Sequence, residues 1–485
     1  MMDTATADVI TTGPWIDGEI QQSEHEELML SPYDQRPVAR VFQASAAQVE
    51  TAIQGAVEAF AITRHSPAHE RHRILSNIAH IIEREHETLA QGISAESGKP
   101  ITAARGEVDR AVYVFDVAAE EAKRLGGELV GLDWLPGNEQ REAQVRRVAR
   151  GPVAGITPFN FPLNLVAHKV APALAAGNPI LIKPAPQAVL TAIHLGRILV
   201  EAGWPAKGVA VLPCANEQAR PLITDDRIKL LTFTGSPTVG WWLKGIAGRK
   251  PVTLELGGNA GNIVCADSDI DYAVGRIAWG GFVNAGQACI SVQRVYVEAA
   301  VYERFKQQLL DKVATLKFGD PALEETVVGP VINEAAADRI MASIESAVAA
   351  GAKVLIGGKR DGLVVAPTVV ESDDESLAIS RTEIFGPVIV LSAFNDFKQV
   401  VARVNDSDYG LQAGLFCRDM GRIHYAAEQL DVGGLNVNDV STFRIDHMPY
   451  GGVKGSGFGR EGLRYAIEEM TEMKLITFNY TVFNE

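Results

Sequence analysis

Cys289 stands in Asn284-Ala285-Gly286-Gln287-Ala288-Cys289-Ile290, 34 residues after Glu255 in Leu254-Glu255-Leu256-Gly257-Gly258. The thiol sits among small residues. The carboxylate closes an apolar, strand-like run and is followed by two glycines. A thiol and a base are the minimum equipment for covalent attack on a carbonyl. The other three cysteines, Cys214, Cys265 and Cys417, each follow an apolar run and read as inert core thiols. Four cysteines at these spacings form neither a disulfide framework nor a zinc pattern, so no metal site is expected.

These groups need a scaffold, and the chain supplies an α/β one. Residues 46–65, 69–96 and 102–125 carry apolar side chains at three- and four-residue steps and read as helices. Residues 143–149 alternate like an exposed strand that pairs with 126–135 in a hairpin. From 151 to 256 short apolar strands alternate with helices, the mark of a parallel sheet covered by helices. A second α/β series runs on to 417, so two lobes with a cleft between them are expected. The stretch 471–483 is β-rich and would be an exposed edge unless another subunit covers it.

Parallel sheets bind ligands at the carboxyl ends of their strands. One such tip is Ile156-Thr157-Pro158-Phe159-Asn160. A second ends in Lys183, whose ammonium suits ribose hydroxyls. A third, Thr234-Gly235-Ser236, opens a helix whose amides suit a pyrophosphate. The glycine spacing is not that of the common dinucleotide fingerprint, but three tips in one sheet point to a nucleotide site.

With 47% apolar and 22% charged residues, the 485-residue chain has room for two or more domains. Its net charge of −15 argues against nucleic acid or anionic membrane as partners. The start lacks a secretory signal pattern, and no apolar run is long enough to span a bilayer. A cytoplasmic location is expected.

Together these motifs resemble the aldehyde dehydrogenase superfamily. Thr157-Pro-Phe-Asn160, Phe233-Thr-Gly-Ser236, Leu254-Glu255-Leu-Gly-Gly258, Gly286-Gln-Ala-Cys289 and Glu383-Ile-Phe385 follow the family's order. The resemblance runs from Trp15 to Gly457. It implies a Rossmann-like cofactor domain (1–126 and 148–255, with a return at 437–470) and a catalytic domain (256–436). It also implies a bridging β-arm (127–147 and 471–485) that builds a homodimer or homotetramer.

The resemblance further implies Cys289 as nucleophile, Asn160 as oxyanion donor and Glu255 as the base that hydrolyses a thioester. Lys169 and Glu472 match proton-relay positions in some relatives; the alternative is a structural ion pair. NAD or NADP would contact Thr157, Pro158, Phe159, Lys183, Pro186, Gly235, Ser236, Leu256, Gly257, Glu383 and Phe385. Pro186 stands where many NAD-preferring relatives carry glutamate, so both cofactors remain open.

Substrate class is read by exclusion. Val283, His168 and Ala288 occupy positions where semialdehyde and phospho-aldehyde relatives carry arginine. The run Asn438–Gly452 resembles the lactaldehyde and phosphonoacetaldehyde branch, and places Arg444 near the substrate mouth. Arg110, Phe161 and Ile290 are further substrate candidates. The expected substrate is a small polar aldehyde such as lactaldehyde or glycolaldehyde. Alternatives are phosphonoacetaldehyde or semialdehyde oxidation, a coenzyme A-acylating enzyme, which would lack Glu255, or a structural protein, which would have lost the catalytic groups.

Overall fold

Two sheets face each other across a cleft, and the order of their strands explains where the ligand tips fall. The computed structural model describes residues 9–481. The expectations for the first eight residues and for 482–485 of the arm lie outside the described residues.

The first sheet has eight strands, and its centre is parallel. Val252–Glu255, Leu230–Thr234, Val153–Ile156, Ile180–Lys183 and Val209–Val211 lie side by side in that order. The chain starts at Val153–Ile156, winds one way to Val209–Val211, then crosses back and winds the other way. The switch point lies between Val153–Ile156 and Leu230–Thr234, where a crevice opens at the strand ends. Trp15–Ile16, Glu19–Ile20 and Gly457–Phe458 complete the edges.

The second sheet has seven strands. Val388–Phe394, Val292–Glu298, Ala260–Val264 and Gln412–Phe416 form its parallel centre. Cys289 lies just before Val292–Glu298, at the sheet's amino edge, whereas Glu255 lies at a carboxyl tip of the first sheet. The two groups thus meet across the cleft.

The expected hairpin is present. Gly127–Gly131 pairs with Arg141–Ala149, which pairs in turn along its whole length with Thr471–Asn479. Leu129 on one face of this ribbon, and Met473 and Leu475 on the other, are 71%, 69% and 63% exposed, apolar side chains left uncovered by the described residues. Among the described residues no helix is long and apolar enough to cross a membrane.

Two expectations are corrected. The helix expected over 69–96 is two, Ala68–Arg84 and His86–Ser97. The break is at Glu85, whose carboxylate takes hydrogen bonds from Arg84, His194 and Arg197. Those long-range contacts override an unbroken helical pattern. The second sheet also contains Thr368–Glu371, which has no alternation to mark it because both faces are covered.

Candidate active site

Helix Asn164–Ala176 is buried on every side, as a helix wedged between a sheet and other helices must be. It carries two polar groups into that interior. Lys169, fully buried, donates from Nζ to Thr232 Oγ1 (3.1 Å), Thr234 Oγ1 (2.8 Å) and Glu461 Oε1 (3.1 Å). His168 Nε2 lies 2.8 Å from Asp446 Oδ1, and Arg444 Nη2 approaches its Nδ1 at 3.3 Å.

The loop before that helix is held by Glu107. Its Oε1 accepts from the Leu163 and Asn164 amides at 2.9 and 3.0 Å, and its Oε2 pairs with the buried Lys99. Lys99 lies 3.8 Å from the centre of the Phe161 ring. The clamp fixes Phe159, Asn160 and Phe161 at the strand tip. The Asn160 Nδ2 amide donates to the Gln287 carbonyl at 2.8 Å, which ties it to the cysteine loop. A primary amide has two N–H donors, so one remains for a ligand.

That cysteine loop is strained. Asn284 and Ala285 have φ of 53° and 54°, left-handed values uncommon for residues with a Cβ. Gly286 follows at φ 67°, and a Cβ there would collide with the Gly386 carbonyl. The turn delivers Cys289 to the cleft.

A cavity of about 690 Å³ joins the pieces. Cys289, Asn160, Glu255, Tyr450 and Arg444 share its wall with Pro158, Phe159, Phe161, Gly235, Ser236, Leu256, Gly257, Ile290, Glu383, Phe385 and Arg110. Phe159 and Phe385 meet edge to face at 6.0 Å. Val283 and Ala288 flank the cysteine, so no cation stands at those two positions.

The electrostatics disfavour the charged form of both reactive groups. Burial pushes the Cys289 thiol up to about 12, against a hydrogen bond from Tyr450 that pulls it down. Burial and the neighbouring Glu461 charge raise the Glu255 carboxyl well above the usual range. Neither Glu255 oxygen has a hydrogen-bond partner among the described residues. Glu461 goes the other way: burial raises it, but Lys169, His168 and Arg444 together hold it low. The two carboxyls are therefore shifted in opposite directions within one cationic cluster.

The groups expected to hold a cofactor fit one. Lys183 is 7% exposed, its ammonium makes no hydrogen bond or ion pair among the described residues, and burial lowers its pKa. The Thr157 hydroxyl at the next tip has no partner either. Ser236 precedes helix Pro237–Ile246, whose amino end points at the crevice. Glu383 accepts from the Gly258 amide at 3.0 Å, and burial pushes its carboxyl up to about 7. Its Oε2 would lie 2.3 Å from a Cβ on Gly257, so any larger residue there would displace the carboxylate. Lys183, Thr157 and Pro186 lie outside the cavity wall. Pro186 lines a separate hollow of about 500 Å³ with Met29, Leu30 and Ile332.

One expected relay member is not in the site. Glu472 lies on the exposed strand Thr471–Asn479 and pairs with Arg150. Its side chain is exposed, like those of Met473, Lys474 and Leu475 on both faces of the strand, and the carboxylate on Lys169 is Glu461. Arg110 does reach the cavity, but its guanidinium is paired with Asp446 at 2.6 and 3.0 Å. Arg444 pairs with Glu461 at 3.4 Å and lies 3.6 Å over the Tyr450 ring; its Nε is 4.0 Å from Asp446 Oδ1 and makes no hydrogen bond among the described residues. Tyr450, Glu107 and Glu461 escaped the sequence reading. Tyr450 and Glu461 flank the glycine-rich run 451–459, which was the available signal.

Comparison with known proteins agrees with this geometry. The pattern of the Aldehyde dehydrogenase family matches residues 19–476. The chain is 42% identical to a 3-sulfolactaldehyde dehydrogenase of Priestia aryabhattai, over 98% of this chain and all of that protein. It is 37% identical to a lactaldehyde dehydrogenase of Methanocaldococcus jannaschii, over 96% and 98% of the two chains. The crystal structure of aldehyde dehydrogenase 21 from Physcomitrella patens, in complex with the reaction product succinate, superposes with a TM-score of 0.95. The two chains are 40% identical, with 98% of this chain and 99% of that one covered.

Proposed function

The chain belongs to the aldehyde dehydrogenase family of NAD(P)-dependent enzymes, and we propose that it oxidises a small 2-hydroxyaldehyde of the lactaldehyde type to its acid. The observation that carries this reading is the wall around Cys289. Val283 and Ala288 add no charge at their positions, while Tyr450 and Asn160 supply neutral polar groups and Arg444 a guanidinium.

In the proposed mechanism the ionised form of Glu255 takes the Cys289 proton, Tyr450 O–H donates to the sulfur, and the thiolate attacks the aldehyde carbon. The free N–H of Asn160 and the Cys289 backbone N–H hold the resulting oxyanion. Loss of one such donor typically costs about 10²–10³-fold in rate. Lys183, Ser236 and Glu383 would hold NAD(P), which would supply the acceptor for the hydride of the aldehyde carbon. The product on the protein is a Cys289 thioester. Glu255, after giving up its proton, takes one from the water that hydrolyses the ester. Lys169 and Glu461 stabilise the cluster through which that proton leaves. The relay is thus assigned to Lys169 and Glu461.

A second reading, an aldehyde with an anionic tail, is favoured by the two guanidinium groups, of Arg110 and Arg444, in the cavity wall. The relative that acts on 3-sulfolactaldehyde fits both readings, since that substrate is a 2-hydroxyaldehyde bearing a sulfonate. The uncovered apolar arm supports assembly as a homodimer or homotetramer, with the arm over 127–147 and 471–485 between subunits. The cofactor and catalytic domains follow the two sheets. Four free thiols suit a reducing cytoplasm.

The test is a panel of lactaldehyde, glycolaldehyde, 3-sulfolactaldehyde, succinic semialdehyde and phosphonoacetaldehyde, run with the parent and with Arg110→Met. The first reading expects 2-hydroxyaldehydes to lead in kcat/KM and Arg110→Met to lower all substrates alike. The second expects a selective loss for anionic members. Leadership by phosphonoacetaldehyde would overturn the proposal.

A further inference from the structure

At the carboxyl edge of the second sheet, opposite the amino edge that carries Cys289, two further thiols come together. Strands Ala260–Val264 and Gln412–Phe416 run parallel, with Val264 opposite Phe416. The next residue on each strand is a cysteine, and the Cys265 amide donates to the Phe416 carbonyl at 2.9 Å. Cys265 and Cys417 are thus neighbours, although 152 residues separate them in the chain. No short spacing motif could reveal such a pair.

Asp267 joins them. Cys417 Sγ lies 3.8 Å from Asp267 Oδ2, and all three potential ligand atoms lie within 4.8 Å of one another. The Asp419 carbonyl oxygen is also 3.8 Å from Cys417 Sγ. In a tetrahedral zinc site with metal–sulfur bonds near 2.3 Å, ligand atoms stand about 3.8 Å apart. The cluster therefore already has nearly that spacing. The thiols are buried while Asp267 is exposed, which gives the pair a route to solvent.

The surroundings tolerate a cation. Arg422 faces Cys265, but its guanidinium is matched by Glu298 at 3.0 and 3.3 Å. Asp267 Oδ2 also accepts from the Arg418 and Asp419 amides at 2.9 and 2.8 Å, which fixes its orientation as an outer hydrogen bond fixes a metal ligand.

We propose that Cys265, Cys417 and Asp267 bind one thiophilic divalent cation of the zinc type, pinning the two strand ends to the loop that starts helix Met420–Gln429. Binding converts two thiols to thiolates and releases two protons, with no change in oxidation state. Soft sulfur ligands select this class over magnesium or calcium.

The experiment uses full-length Cys289→Ala, which removes the competing catalytic thiol, kept reduced and titrated with Cd2+. The expected result is one Cd2+ per chain, a thiolate-to-metal charge-transfer band, and about two protons released per ion. A lone thiol such as Cys214 cannot supply that proton count. Adding Cys265→Ser or Cys417→Ser abolishes the band and weakens binding at least about tenfold, in proteins whose metal-free Tm matches the parent. Zn2+ raises the parent Tm and leaves that of the serine variants unchanged. Absence of Cd2+ binding by the reduced parent, release of one proton or fewer, or equal binding by folded serine variants overturns the proposal. The proton count decides the matter even where a serine variant fails to fold.

Discussion

The Tyr450 hydroxyl lies 3.1 Å from the Cys289 sulfur. Burial keeps the phenol protonated far into the alkaline range, so it can donate whenever the sulfur becomes anionic. A hydrogen bond to a charged group contributes about 1.5–3 kcal/mol.

Tyr450→Phe should therefore lower kcat/KM at neutral pH by about tenfold or more. Because burial holds the Cys289 thiol up at about 12, the rate of its alkylation by iodoacetamide should climb as pH rises. The Phe variant should shift that climb to still higher pH, since the lost bond favours the thiolate. An unchanged alkylation profile would remove Tyr450 from the mechanism.

Asp446 makes a prediction about stability. Burial would raise its carboxyl, but His168 and Arg110 hold it well below the usual 3.8. A depressed folded-state pKa gives stability that is present above the unfolded value. That stability is lost as pH falls through about 4 and below. Asp446→Asn should cost about 3–5 kcal/mol at pH 7, because Arg110 loses its partner and Arg444 a nearby counter-charge. The difference from the parent should shrink as pH drops below about 4. Urea unfolding at pH 7 and pH 3.5 measures it; a constant gap would contradict the assignment.

Pro186 bears on the cofactor. Proline neither accepts hydrogen bonds from a ribose diol nor repels a 2′-phosphate. Pro186→Glu should lower kcat/KM for NADP by about tenfold or more through charge repulsion at a buried lysine tip, with a smaller change or a gain for NAD. Equal effects on both cofactors would place the adenosine ribose elsewhere.

The sequence was most legible where local pattern and chemistry coincide. The strand tips at Thr157, Lys183 and Thr234 follow from short apolar runs punctuated by glycine or proline, and their crevice appears at the switch point. The cavity wall around Cys289 followed from motif order. What escaped was set by long-range contact. Glu461, not Glu472, meets Lys169 because a loop after the glycine-rich run folds under helix Asn164–Ala176. Both carboxylates lie in the last 25 residues of the chain, and nothing local ranks one above the other. The Glu107–Lys99 clamp and the Asp446 bonds to Arg110 and His168 likewise join residues that no periodicity connects. The break at Glu85 has the same origin.

The central claim is that Cys289 carries an acyl group which Glu255 clears. Glu255→Gln, mixed with lactaldehyde and excess NAD or NADP, quenched and measured by intact mass, tests it most directly. The account expects one acyl group per chain, located on Cys289 by peptide mapping, a burst of reduced cofactor of about one equivalent, and steady turnover slowed by about 10²–10⁴-fold. Turnover at the parent's rate, or an adduct on any other residue, would contradict it.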